Sequence, residues 1–114
     1  MLPFVSFAQD EDDTKRILRL QLYTEASYNA GSTSSDAIRI EFTDDGSNDM
    51  DFRDVIKFNN LDENLARFLN GNLLTIENRE QPVNGELLSL FLDQYTNTSY
   101  VFKFNNENFE DKVV

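Results

Sequence analysis

Three segments of the chain alternate apolar and polar residues with a period of two. Leu18, Leu20 and Leu22 alternate with charged or polar neighbours, and the same pattern recurs at residues 38–42 and 100–104. Because successive side chains of a β-strand point to opposite faces, this period predicts strands with one buried face. We therefore predict strands over residues 17–24, 37–43 and 99–105.

Two Asn-Gly pairs mark tight turns. Asn70-Gly71 separates the apolar segments 65–69 and 73–76, and Asn-Gly is a strong hairpin signal because both residues accept positive φ. Asn84-Gly85 precedes the most apolar run, which predicts a central strand over residues 87–92. A shorter strand is expected at residues 55–58, and loops at residues 29–36 and 94–98. Residues 61–68 are the one helical candidate, but the Asn-Gly that follows them favours a strand.

Seven or eight short strands separated by turn signals indicate an all-β fold, which we expect to be an antiparallel β-sandwich or jelly roll. With 114 residues, the chain has room for one hydrophobic core. The alternation predicts that the following side chains lie inside it: Leu18, Leu20, Ile38, Ile40, Phe42, Leu88, Leu90, Phe102 and Phe104.

Composition narrows the classes of function. The chain has no His and no Cys, so it lacks the commonest general base and the usual ligands of transition metals. Its net charge of −11 disfavours nucleic acid and anionic membrane surfaces, because both would repel it. No segment approaches the 18 or more apolar residues of a membrane-spanning helix.

The two ends of the chain have features of their own. Residues 1–8, MLPFVSFA, are apolar, and small residues occupy the −3 and −1 positions of a cut before Gln9, as in a secretory signal peptide. We interpret residues 1–8 as a signal-peptide remnant and residues 9–16 as an acidic mature N-terminus; the alternative is a native N-terminal strand. At the other end, residues 113–114 look like a strand that stops early. The sandwich domain over residues 17–114 is therefore expected to be incomplete and to self-associate through an open edge.

Residues 44–54, DDGSNDMDFRD, hold five carboxylates in eleven positions, and we call this segment the acidic loop. Ca²⁺ prefers six to eight oxygen ligands, and Asp45, Asn48, Asp49 and Asp51 could supply several of them from one turn. The spacing differs from the EF-hand loop, because the glycine comes too early and no glutamate closes the segment. The alternative, which we favour, is a solvated loop in which Asp and Asn side chains bond their own backbone.

Catalysis and sugar binding are weaker hypotheses. Glycoside hydrolysis needs two carboxyls facing each other across a cleft, and a domain of this size has little room for one. A carbohydrate-binding module would instead stack exposed aromatic rings on sugars, and Tyr23, Tyr28 and Tyr95 are candidates. The alternative for these residues is an ordinary position at the rim of a sheet, with the hydroxyl in water.

The order of the segments resembles a pattern in secreted surface proteins of gliding Bacteroidota. In that pattern an "I-R-F" strand leads into a loop of the type "T-D-G-F-D-x-x-Y-D-A-x-K-F", as residues 38–42 lead here into the acidic loop and residues 54–58. An "L-S-I-N" strand, a proline, an apolar strand and a "Y-x-F" strand follow. Their counterparts here are residues 73–78, Pro82, residues 87–92 and residues 100–102. The loop departs from the pattern at Arg53, where Tyr is frequent, and at Val55, where Ala is usual.

The likeness covers about residues 17–114. It implies a β-sandwich domain of a protein exported by the type IX secretion system, and it implies no enzymatic activity. Together with the apolar N-terminus, it suggests a secreted or cell-surface protein whose partners are other surface proteins or extracellular glycans. We therefore predict a non-catalytic module that acts in adhesion, assembly or display, without cofactor unless the loop binds Ca²⁺. The alternative is a small carbohydrate-binding module of a secreted protein.

Overall fold

The computed structural model describes residues 15–108, which form seven strands and one short helix. The predicted signal remnant, most of the acidic N-terminus and residues 113–114 lie outside these residues. The elements along the chain are β1 Arg16–Thr24, α1 Glu25–Asn29, β2 Asp36–Thr43, β3 Val55–Ile56, β4 Asn64–Leu69, β5 Asn72–Glu80, β6 Leu90–Asp93 and β7 Tyr100–Glu107. The predicted all-β class is confirmed. No helix in the described part of the chain is long and apolar enough to cross a membrane.

All seven strands belong to one sheet. Its order is β6–β4–β5–β2–β1–β7, and the two-residue strand β3 pairs with β5 beside this path. Neighbouring strands are antiparallel except β2 and β5, which are parallel. A parallel pair needs a long connection, and the chain between these two strands contains the acidic loop, β3 and β4. The sheet is therefore mixed, whereas the alternation alone suggested antiparallel pairing throughout.

The strand register gathers the alternating apolar residues on one face. Leu20 of β1 lies opposite Ile38 on one side and Phe104 on the other. Leu22 lies opposite Phe102. Because residues directly opposite each other share a face, these side chains all point toward the same side of the sheet.

The sheet curls, so that its strands β4 and β6 cover this face. Residues 67–69 of β4 pair with β5, whereas residues 64–67 pair with β6. In its first half, β4 places Leu65 in a core cluster with Leu20, Leu22 and Ile38 of the first two strands. The strands β4 and β6 thus lie where a sandwich would place its second sheet, although they continue the same sheet.

Much of the predicted core is confirmed. Leu20, Ile38, Ile40 and Phe42 are at most 3% exposed. Leu18 and Leu88 are partly buried. The core also contains Leu22, Leu65, Ala66, Leu69 and Leu74.

The predicted burial is wrong for three residues: Leu90, Phe102 and Phe104 are 42%, 38% and 60% exposed. Both phenylalanines lie on the inner face, as the alternation predicts, but the curl of β4 covers the middle of that face and not its β7 end. Alternation identifies the face of a side chain, whereas burial also requires a neighbour on that face.

The apolar run at residues 87–92 is not a central strand. Only Leu90–Asp93 forms a strand, and within the described residues it pairs with β4 alone, at one end of the sheet. Leu87 is 93% exposed. A short apolar run does not by itself distinguish a buried strand from an exposed segment.

The turn chemistry was predicted correctly. Asn70 and Gly71 both have positive φ, 49° and 85°, and they join β4 to β5 as a two-residue hairpin. Residues 64–68 of the helical candidate belong to the strand β4, as the adjacent turn suggested. The one-turn helix α1 was not predicted, because five residues are too few to show a helical period. Its first turn is capped by Thr24, whose Oγ1 accepts a hydrogen bond from the Ser27 backbone N–H at 3.1 Å.

Candidate functional site

The acidic loop is bound to the edge of β5 through its backbone and side chains. The Oδ1 atom of Asp54 accepts a hydrogen bond from the Asn78 N–H at 2.8 Å, and the Oδ1 atom of Asn48 accepts one from the Glu80 N–H at 3.1 Å. These donors lie on the β5 edge where β4 and β3 no longer pair with the strand. The loop therefore satisfies strand donors that would otherwise face solvent.

Gly46 makes the close approach of the loop to β5 geometrically feasible. A Cβ at this position would lie 2.1 Å from the Arg79 carbonyl oxygen and 2.3 Å from its carbonyl carbon. Both are backbone atoms of a paired strand, so they cannot move aside without disturbing the sheet. The glycine is needed here for space and not for a positive φ.

We expect Gly46→Ala to destabilise the protein by about 1–3 kcal/mol, because the added methyl group overlaps the β5 backbone. If only the entropy of the unfolded chain mattered, Gly46→Ala would instead stabilise the protein by about 0.4–1 kcal/mol. Urea denaturation measures the difference. As a control, Asp49→Ala changes an exposed side chain of the same loop and should stay within about 0.5 kcal/mol. A neutral or stabilising Gly46→Ala would contradict the close packing.

Arg53 supplies the positive charge inside the acidic loop. Its guanidinium lies 3.2 Å from both Asp45 Oδ1 and Asp51 Oδ2, and it also donates to the Asp45 carbonyl oxygen at 2.9 Å. The hydrogen bond from Arg53, followed by one from Thr43, lowers the pKa of Asp45. The hydrogen bond to Asp51, partly opposed by desolvation, raises the pKa of Arg53.

The four candidate calcium ligands do not converge on one point. Asn48 contacts β5, Asp45 and Asp51 contact Arg53, and Asp49 is exposed. Within residues 15–108, no three acidic side chains lie close enough together to hold a metal ion. Asp54 and Asp51 also accept hydrogen bonds from the loop's own backbone, from the N–H groups of Asp51 at 3.0 Å and Arg53 at 2.9 Å, as the solvated-loop hypothesis predicts. Calcium binding stays a prediction that needs a direct test.

We expect millimolar Ca²⁺ to leave the melting temperature unchanged, because two of the candidate carboxylates are already paired with Arg53. The measurement is a thermal melt with Ca²⁺ and then with excess chelator. A melting temperature that rises with Ca²⁺ and returns with chelator would establish a site of about 10⁻⁴ to 10⁻³ M affinity.

Outside the acidic loop, the carboxylate of Glu63 holds the loop between β6 and β7 in place. Its Oε2 atom accepts hydrogen bonds from the backbone N–H and hydroxyl of Thr96, at 3.1 and 2.8 Å. It also accepts from Asn97 Nδ2 at 3.2 Å and from the Tyr100 hydroxyl at 2.9 Å. Glu63 is 7% exposed and has a positive φ of 51°. The hydrogen bonds, led by those from Thr96, lower the pKa of Glu63. Sequence reasoning missed this contact, since its partners lie more than 30 residues away.

We expect Glu63 to make the stability depend on pH. Because folding lowers its pKa below the ordinary value of 4.5, its stabilising effect is complete above that pH and is lost as the pH falls through the folded pKa. Glu63→Gln should cost about 1–3 kcal/mol at pH 7, and the difference from the parent should shrink below about pH 4.5. Urea denaturation from pH 3 to pH 7 is the measurement, with Glu80→Gln as an exposed control. A constant difference across this range would contradict the assignment.

The carboxylate of Glu77 is fully buried inside the curl of the sheet. Glu77 is 0% exposed, with its Oε1 atom 2.7 Å from Arg67 Nε and its Oε2 atom 2.9 Å from Arg79 Nη1. Arg79 also contacts the Glu86 carboxylate at 2.5 Å. Arg67 donates to the Ser89 carbonyl oxygen at 2.9 Å. Two arginines and two glutamates therefore form an ion-pair network without net charge. This network connects residues 86–89 to β4 and β5.

An apolar concave surface lies beside the loop that Glu63 holds. Leu22, Leu92, Tyr95, Tyr100 and Phe102 line a groove of about 290 Å³, which we call the β6–β7 groove. Leu22 is buried at its floor, while Tyr95 is 62% exposed. The alternation predicted one of the lining residues, Phe102, as core, and the groove exists because the curl stops short of it.

The tyrosines proposed as a sugar platform are arranged in perpendicular pairs. The rings of Tyr23 and Tyr28 are 5.4 Å apart at 78°, and those of Tyr95 and Tyr100 are 6.4 Å apart at 87°. Such edge-to-face contacts are favourable between the rings themselves. Neither pair offers two coplanar faces to a pyranose ring.

Comparison of the chain with protein-family models, with curated proteins and with solved structures finds no match. Its function is therefore inferred from its own residues.

Proposed function

We propose that the chain is a non-catalytic interaction module of an exported bacterial surface protein, acting in adhesion, assembly or display. The observation that carries the proposal is the exposed apolar groove between β6 and β7, together with the exposed Phe104 beside it. Solvent-exposed apolar side chains grouped on one surface are characteristic of sites that bind another molecule.

The carboxylates described above support a structural role over a catalytic one. Glu63 holds a loop, Glu77 lies in a buried ion network, and Asp54 accepts a hydrogen bond from β5. Asp36 is paired with Lys57 Nζ at 2.5 Å and also accepts from the Leu65 N–H at 2.8 Å. Each of these groups is fixed by protein partners, whereas a glycosidase needs two carboxyls that face a substrate.

The groove supports protein binding better than sugar binding. Sugar modules stack flat aromatic faces on pyranose rings, and the perpendicular Tyr95–Tyr100 pair does not present them. An apolar groove next to a strand suits an extended peptide, which can place alternate side chains in the groove. A glycan array tests the alternative, and we expect no specific binding above background.

Export is supported by the apolar segment at residues 1–8 and by the resemblance to secreted surface domains. The test is antibody labelling of intact cells of the organism that makes the protein. We expect labelling without permeabilisation, and its removal by external protease. Labelling that requires permeabilised cells would contradict an exported surface protein.

A further inference from the structure

Three of the four glycines directly follow an Asp or an Asn, in the pairs Asp45-Gly46, Asn70-Gly71 and Asn84-Gly85. In such a pair, the backbone nitrogen of the glycine can attack the side-chain carbonyl carbon and close a five-membered succinimide ring. A glycine favours this reaction because it has no Cβ to hinder the approach and its backbone rotates freely. The fold decides which of the three pairs can reach the geometry of ring closure.

The acidic loop restrains Asp45-Gly46. The Asp45 Oδ1 atom lies 3.2 Å from the guanidinium of Arg53, and the Gly46 N–H donates to the Thr43 carbonyl oxygen at 3.1 Å. Both reacting groups therefore already have partners inside the protein. The negative charge of a carboxylate also repels an attacking nitrogen anion, whereas a neutral amide does not.

The β4–β5 hairpin restrains Asn70-Gly71. Leu69 and Asn72, on either side of the pair, are paired strand residues. Ring closure requires a rotation about the Cα–C bond of Asn70, and this rotation would turn Gly71 out of the hairpin and separate the ends of the two strands. Paired strands open with a higher free energy than exposed loops, so this geometry is reached rarely.

The pair Asn84-Gly85 lies outside the strands, between β5 and β6. The Glu86 N–H donates to the Val83 carbonyl oxygen at 3.1 Å, and Gly85 has a φ of 82°, so the pair forms the centre of a β-turn. Both residues are exposed, and within residues 15–108 neither the Asn84 amide nor the Gly85 N–H has a hydrogen-bond partner. A rotation at this turn separates no paired strands.

We infer that Asn84 is a site of spontaneous deamidation in the folded protein. The Gly85 nitrogen gives up its proton and forms a C–N bond with the Asn84 side-chain carbonyl carbon, and the amide nitrogen leaves as ammonia. One water molecule then opens the succinimide ring at either carbonyl group, which leaves aspartate or isoaspartate at this position. The sum is the hydrolysis of one amide, without any change of oxidation state. The inference goes beyond the proposed function and does not depend on it.

The test incubates the whole chain at mildly alkaline pH, folded in buffer and unfolded in urea, and measures amide loss at each asparagine by peptide mapping with mass spectrometry. In the folded protein we expect Asn84 to react at least about tenfold faster than Asn70, because the hairpin opens more rarely than the loop. In urea the two rates should be similar, because both pairs are Asn-Gly. Equal rates in the folded protein, or a difference that persists unchanged in urea, would overturn the inference.

Matched variants identify the residue responsible. Native isoelectric focusing detects the added negative charge, and Asn84→Gln should largely remove the slowly formed acidic species, because the longer side chain closes a six-membered ring less readily. Asn70→Asp keeps a residue that tolerates positive φ and should leave the rate unchanged. Acidic species that form at the parent's rate in Asn84→Gln would overturn the inference. Aspartate without isoaspartate at position 84 would do the same, since direct hydrolysis of the amide bypasses the ring.

Discussion

Replacing Phe42 with alanine should destabilise the protein by about 3–5 kcal/mol, whereas Phe104→Ala should cost about 1 kcal/mol or less. The two residues occupy equivalent places in the alternating pattern, on the core face of their strands. They differ in burial, because Phe42 is 3% exposed and Phe104 is 60% exposed. Truncating Phe42 removes most of a buried ring and leaves a cavity, while truncating Phe104 removes contacts that are largely with water.

Urea denaturation of the two variants and the parent measures this contrast. A loss of 3–5 kcal/mol is a large part of the stability of a typical domain, so Phe42→Ala should be partly unfolded near room temperature. Similar losses of stability for both variants would mean that Phe104 is buried. That result would contradict an inner face that is open to solvent at its β7 end.

The second large effect is expected at Glu77. Glu77→Ala should cost about 3–5 kcal/mol, because it leaves Arg67 without its carboxylate partner in a buried position. Arg79 would keep Glu86 and lose one of its two ion pairs. Removing one partner of a buried ion pair is costly, since the remaining charge stays desolvated.

The double variant Arg67→Met with Glu77→Leu provides the control. It removes both charges of the shorter pair and replaces them with apolar groups of similar size, so it should be more stable than Glu77→Ala alone. Urea denaturation at neutral pH is again the measurement. A double variant that is as unstable as the single one would contradict an unpaired arginine as the source of the cost.

The local parts of the fold could be read from the sequence. The alternation in β1, β2 and β7 and the Asn70-Gly71 hairpin depend on neighbours in the chain, and both were predicted correctly. The curl of β4 over the inner face could not be read, because the contact of Leu65 with Leu20 joins residues far apart in the sequence. Without knowledge of this curl, the sequence pattern wrongly predicts that Phe102 and Phe104 lie inside the core.

The same distinction holds for the candidate site. The position of the acidic loop between two strands could be predicted from its Asp, Asn and Gly residues, but its attachment to β5 depends on the contact of Gly46 with Arg79. The role of Glu63 also depends on long-range partners. In the β6–β7 groove, Phe102 looks like an ordinary core position in the sequence, and only the extent of the curl leaves it exposed.

Backbone amide chemical shifts of nitrogen-15-labelled protein, titrated with an extended peptide in which leucine alternates with serine, test most directly which surface is the binding site. If the β6–β7 groove is the site, the largest and saturable shifts should occur at residues 92–104, with little change in the acidic loop. Largest shifts at residues 44–54, or small changes spread over the whole described chain, would contradict a binding site in the groove.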